Sequence, residues 1–118
     1  LRNFLCSPDR QGALFENLFC SQLFVSAAAS DLEISVWNFR TSHGAEVDFI
    51  VSIGTETFAV ECKAAVNVPS FSLNGFEVFK NYFGKPVRKI VAYQGTDLLQ
   101  RDDVSILRWQ TALRDMGL

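Results

Sequence analysis

Residues 46–63 read EVDFIVSIGTETFAVECK, and this stretch decides the fold. β-Branched and aromatic residues on both sides of Gly54 and Thr55 predict two strands, Glu46 to Ile53 and Glu56 to Ala64, joined by the Gly-X pair that suits a tight type II′ hairpin. With those two residues as the loop, Ile53 faces Glu56 and the pairing counts back without a gap. Asp48 then stands opposite Glu61, and Glu46 opposite Lys63. Period-two alternation puts Asp48, Glu61 and Lys63 on one face. Phe49, Val51, Ile53, Phe58, Val60 and Cys62 make the other, an apolar surface for covering helices.

Opposed side chains in a hairpin have Cβ atoms about 5 Å apart, and like charges at that spacing destabilise a sheet. Asp48 against Glu61 therefore calls for compensation. A divalent cation supplies it, because two carboxylates offer the hard oxygen ligands that magnesium or manganese takes. Lys63 adds positive charge beside such an ion. A purely structural arrangement is the alternative: Glu46 pairs with Lys63, Glu61 points to solvent and Asp48 bonds a turn.

Upstream, Ser7, Pro8 and Asp9 offer a cap and a first-turn proline for a helix running from about Asp9 to Ala29. Leu14, Leu18 and Val25 together with Phe15, Phe19, Leu23 and Ala27 put apolar groups around most of its circumference, so the helix is expected to be largely buried. Glu16 shares the face of Phe19, Cys20 and Leu23, where a carboxylate needs a partner or a metal. Ile34 to Arg40 alternates as a first strand, and Thr41, Ser42, His43 and Gly44 make a turn into the hairpin.

Downstream, residues 66–72 are polar and interrupted by Pro69, which predicts a loop. Leu73 to Phe83 reads as a helix with an apolar face of Phe76, Phe79, Tyr82 and Phe83, stopped by Gly84. Val87 to Tyr93 and Ser105 to Trp109 read as strands, and Gln110 to Met116 as a closing helix. The order α-β-β-β-α-β-β-α is that of an α/β domain. Lys80, Lys85, Arg88 and Lys89 form the densest basic stretch, interleaved with Tyr82 and Phe83, and either guide a nucleic-acid backbone or flank a helix whose aromatics belong to the core.

Composition bounds the rest. The chain has 118 residues, 48% of them hydrophobic and 20% charged, enough for one core and too apolar for disorder. A formal charge of -2 argues against a broad basic surface that grips nucleic acid unaided. Cys6, Cys20 and Cys62 have neither metal-ligand spacing nor a disulfide framework, which fits a reducing, cytoplasmic interior. A single histidine excludes a multi-histidine zinc centre. There is no phosphate-cradling Gly-Lys-Ser/Thr loop for ATP, no nucleophile elbow and no signal peptide or membrane span. The first residue is Leu1 rather than methionine, and residues 1–118 are read as a single domain cut from a longer protein.

Four segments in order, Gly12 to Leu18, Phe39 to Thr41, Glu46 to Val51 and Ala59 to Lys63, resemble the DUF4143 domain. That domain commonly lies at the C-terminal end of AAA-type ATPases and is related to the PD-(D/E)XK, or restriction-endonuclease-like, nuclease superfamily. The resemblance implies an αβββαβ core with a mixed central sheet flanked by helices. It implies that Asp48 and Glu61 bind Mg2+ or Mn2+ with help from the backbone carbonyl of Cys62. Glu16 completes or orients that site, and Lys63 attends the attacking water and the phosphate charge. Arg40 and His43, just before the hairpin, are candidate phosphate contacts.

The function expected from these residues is metal-dependent hydrolysis of a phosphodiester in DNA or RNA. The alternative is a non-catalytic accessory domain of an AAA-type ATPase that binds DNA, protein or a second copy of itself. No membrane association is expected.

Overall fold

The central hairpin closes at the turn its residues dictate. Gly54 has a φ of 60° and Thr55 is not in the left-handed region, which is the signature of a type II′ turn rather than I′. Ile53 pairs with Glu56, and the ladder runs back residue by residue to Phe49 and Val60.

This is a computed structural model, and it describes residues 8–118; Cys6 and the capping Ser7 lie outside the described residues. The elements are α1 (Pro8–Ala29), β1 (Ile34–Arg40), β2 (Glu46–Ile53), β3 (Glu56–Lys63), α2 (Asn74–Phe83), β4 (Arg88–Tyr93), β5 (Leu99–Arg101), β6 (Val104–Arg108) and α3 (Trp109–Asp115). The strands form one six-stranded sheet in the order β1-β2-β3-β4-β6-β5. β1, β2 and β3 are an antiparallel meander, β3, β4 and β6 run parallel, and β5 returns antiparallel at the far edge. The expected α/β fold with a mixed central sheet is therefore the one formed.

Each face of the sheet carries its own core. Phe49, Val51, Phe58, Val60 and Cys62 pack under Phe15, Phe19 and Leu23 of α1 and Ala112 and Leu113 of α3. Val47, Ile50, Ala59, Val91 and Tyr93 pack under Phe76 and Phe79 of α2. The helix α2 approaches so closely that a Cβ on Gly75 would fall inside the backbone carbonyl of Glu46.

Five sequence expectations are corrected. α1 buries only the Phe15, Phe19, Leu23 and Ala27 stripe, at i, i+4 spacing, and leaves Leu18, Phe24 and Val25 exposed, because the sheet and α3 cover one side of a helix and no more. Tyr82 is not part of the buried face of α2: it is 77% exposed, one position beyond what the turn of the helix brings to the sheet. Leu99–Arg101 is an additional edge strand, set by a two-residue reversal in which Asp102 and Asp103 both take positive φ, the I′ geometry that aspartate tolerates.

The fourth correction concerns strict alternation in β2. Trp37 pairs with Ile50 but Phe39 with Val47, so Asp48 and Phe49 together face the single residue Asn38. This bulge sends Val47 and Phe49, two apart in sequence, into opposite cores. Fifth, Glu46 does not meet Lys63. It is the partner of Arg40 on β1, with an Nη1 to Oε2 distance of 3.1 Å.

The basic stretch is dispersed as well. Lys89 is buried and bonds Glu77 of α2 at 2.7 Å, and Arg88 is held by Asp115 at 2.6 Å and by Glu56. Lys80 and Lys85 remain exposed. Among the described residues no helix is long and apolar enough to cross a membrane.

Candidate active site

The bulge at Asp48 and Phe49 lies where the β2–β3 ladder stops, and the next backbone groups are satisfied by side chains instead. The Asp48 N–H donates to Glu61 Oε1 at 3.0 Å, and the Cys62 N–H donates to Asp48 Oδ2 at 2.8 Å. Each carboxylate thus holds the other's strand. Asn38, the lone residue opposite the bulge, donates its side-chain amide to the Asp48 carbonyl at 2.7 Å and fixes the kink from the far side. The two acids end in the same gap between strands, each with one oxygen committed to a backbone amide and the second left for another ligand.

Around this gap the elements deliver four more charges. Glu16 reaches it from α1, Lys63 from the end of β3, and Arg40 and Glu46 from the neighbouring β1–β2 pair. Their charges bear on one another: Asp48 and Lys63 act on Glu16, Lys63 and Arg40 on Asp48, and Lys63 and Glu46 on Glu61. His43 stands apart in the exposed turn, its Nδ1 3.2 Å from the Ser42 hydroxyl, and no carboxylate shift traces to it. Cys62 contributes its backbone N–H and a thiol that is 8% exposed, pushed up by burial and then by the surrounding acids, so the sulfur is an inert core group.

The match that decides the family covers nearly the whole described chain: a family model for a domain of unknown function, DUF4143, fits residues 11–112. The chain belongs to the DUF4143 family. No curated protein matches it. The matched region of this DUF4143 domain includes Glu16, Arg40, Asp48, Glu61 and Lys63, so the whole charged cluster lies inside the family's limits.

The acids of the DUF4143 site are held against their ordinary ionisation. Burial, then the charge of Asp48, pushes Glu61 up to about 7, against the helping hydrogen bond from Asp48 and the charge of Lys63. Burial likewise raises Asp48 and Glu16, with Lys63 opposing in both. Among the described residues no group of three or more His, Cys, Asp or Glu side chains is arranged as a ready metal cage. Two carboxylates with open second oxygens still suit magnesium, which keeps several waters and takes one or two protein carboxylates together with substrate oxygens.

The raised acids make a stability prediction for the metal-free protein. A folded-state pKa above the unfolded value means that the folded state binds the proton more tightly, so its contribution is complete at low pH and is lost as pH rises from about 4.5 through about 7. Allowing for Glu61's partial exposure, the loss is on the order of 2 kcal/mol between pH 5 and pH 8. Glu61→Gln keeps an acceptor for the Asp48 amide and removes the charge, so its urea-unfolding free energy should fall clearly less over that window, Asp48 and Glu16 supplying what remains. Parallel profiles for the two proteins would show that Glu61 is not the source.

Asn38 is the site residue that sequence reading missed. A polar side chain on an otherwise apolar-alternating strand is its only signal, and its role as the brace of the bulge depends on a register shift in the neighbouring strand.

Proposed function

We propose that this DUF4143 domain hydrolyses nucleic-acid phosphodiester bonds, with Asp48 and Glu61 as ligands to magnesium or manganese. One observation carries the reading: two partly buried carboxylates share the open end of a hairpin, Glu61 accepting from the Asp48 backbone amide and Asp48 from that of Cys62, under the positive charge of Lys63. The two acids satisfy backbone amides there, and their mutual repulsion is a cost that a bound cation relieves. The antiparallel meander followed by a helix and a parallel strand also supports kinship with the PD-(D/E)XK nucleases.

A bound divalent ion polarises a phosphate oxygen and lowers the pKa of a coordinated water. The chain's own residues do the rest. Asp48 and Glu61 present their open oxygens from a rigid, hydrogen-bonded frame, so little reorganisation is needed. The charge of Lys63 opposes the rise in those acids' pKa and stands beside the developing phosphate charge, an electrostatic role. Glu16, raised by burial and by Asp48, holds or orients a water at the rim. Arg40 is a phosphate contact available by exchange, because its exposed pair with Glu46 is worth little. The free thiols Cys20 and Cys62 accord with a reducing, cytoplasmic setting.

The exposed Leu18, Phe24 and Val25 on α1 favour a second reading, in which the domain is a non-catalytic accessory that docks to protein, such as an AAA-type ATPase region of the same parent chain.

Titration calorimetry with magnesium and with manganese separates these readings. The wild-type chain should bind with an affinity that falls at least tenfold in the Asp48→Ala/Glu61→Ala double variant; unchanged affinity rejects both as ligands. Metal binding without cleavage of single-stranded, duplex or branched substrates favours the accessory reading.

A further inference from the structure

Beside the acidic gap, β1 and α2 enclose a cleft of about 430 Å3 whose walls include Trp37, Asn38, Phe39, Arg40, Val78 and Tyr82. Its floor is fixed: Phe39 is partly buried, edge-on to Phe79 at 5.0 Å between centroids and 5.8 Å from the Tyr82 ring. Its rim is not covered, since Trp37 is 41% and Tyr82 77% exposed. Among the described residues the exposed large aromatics are these two and Phe24, so two of the three stand at one cleft. Leaving two amphipathic rings open to water around a packed third is the arrangement of a stacking platform.

The cleft and the acidic gap share a wall. Asn38 lines the cleft and donates to the Asp48 carbonyl, and Arg40 lines it while its charge acts on Asp48 and Glu16. A ligand filling both would be a planar π-system joined to an anion, with the ring on Tyr82 and Trp37 and the anion near Arg40 and the carboxylates. A nucleotide has that composition. An apolar peptide side chain would satisfy the rings but offer Arg40 no anion to take in exchange for its exposed pair with Glu46. A base inside a duplex has its faces already stacked, so the cleft suits a strand whose bases are unpaired.

We infer that the β1–α2 cleft takes one unpaired base of a single-stranded nucleic acid, next to the phosphate presented to Asp48 and Glu61. This rests on the phosphodiester reading for the neighbouring site, and it assigns that site a substrate class, single strands or frayed ends over intact duplex. Trp37 and Tyr82 are binding residues here, with no part in the bond-breaking step.

Fluorescence anisotropy of a labelled twelve-nucleotide single strand of mixed sequence tests it, using the full chain in chelator and again in calcium. Tyr82→Ala and Trp37→Ala should each weaken binding by roughly tenfold or more, the scale of one lost base–aromatic stack. Tyr82→Phe and Trp37→Phe should restore most of the affinity, and binding to the blunt duplex should not change. Tyr82 is exposed enough that its loss leaves the fold intact, which far-ultraviolet dichroism checks. In a Trp109→Phe background the single strand should also quench Trp37 emission.

Equal single-strand affinity in wild type and both alanine variants overturns the inference, as does absence of any single-strand binding. Binding that depends on Tyr82 with no cleavage by any metal-loaded preparation keeps the base subsite and removes the phosphodiester reading. Cleavage whose KM for single strands is unmoved by Tyr82→Ala does the reverse.

Discussion

Lys63→Ala is expected to lower magnesium-dependent cleavage by on the order of 100- to 1,000-fold while the protein stays folded. The backbone of Lys63 is held in the parallel ladder opposite Tyr93 whatever its side chain, so the loss is of charge and not of strand. That charge favours ionisation of Glu16, Asp48 and Glu61 alike. Without it the three acids keep their protons to higher pH, and the residual activity should rise at more alkaline pH than in the wild type. Lys63→Arg should restore the pH profile and part of the rate. A merely structural lysine would leave the profile where it was, and activity equal to the wild type would exclude the role assigned here.

Gly75→Ala should cost about 3 kcal/mol, near the upper end for forcing extra volume into a packed contact. The added carbon meets the Glu46 backbone, which cannot swing aside as the tip of a side chain can. Either α2 lifts from the sheet, opening the core of Phe76 and Phe79, or β2 shifts and carries the bulge with it. For a domain of this size the melting temperature should fall by roughly 10–20 °C. Gly12→Ala is the control: on α1, with open space around the new carbon, it should be neutral or slightly stabilising. Similar melting temperatures for the two variants would mean that α2 does not press on β2 as described.

The hairpin was legible because Gly54 and Thr55 leave few ways to reverse a chain between two β-rich runs, and a known turn fixes which residues face each other. Period two then named the core residues from Phe49 to Cys62 correctly. The same rule failed at Val47, because the extra residue that breaks the alternation is defined against Asn38 on another strand. The acids were visible as a pair, but not that Glu61 takes the Asp48 amide and Asp48 that of Cys62. Glu46 went to Arg40 rather than Lys63 because β1 pairs with β2 on the side away from β3. The helical residues were harder to place. Leu18, Val25 and Tyr82 have the hydropathy of core residues, and only the extent of the surrounding layers decides that they face out. Lys89 is the converse, a cation that local sequence places on the surface and that the fold buries, its ammonium reaching the exposed carboxylate of Glu77. The Asp102–Asp103 pair was a readable reversal signal, overlooked because the strand before it is so short.

The meander also separates local from distant strand pairing. β1, β2 and β3 are joined by turns of a few residues, and pairs of that kind zip up within microseconds, whereas β3 meets β4 only after the chain has passed out through α2 and back. Asp48 and Glu61 therefore belong to the part of the sheet whose strand pairing is local in sequence. Their mutual repulsion is thus carried by contacts local in sequence, and a proton or a cation that relieves it acts on the hairpin itself and does not depend on the crossover through α2.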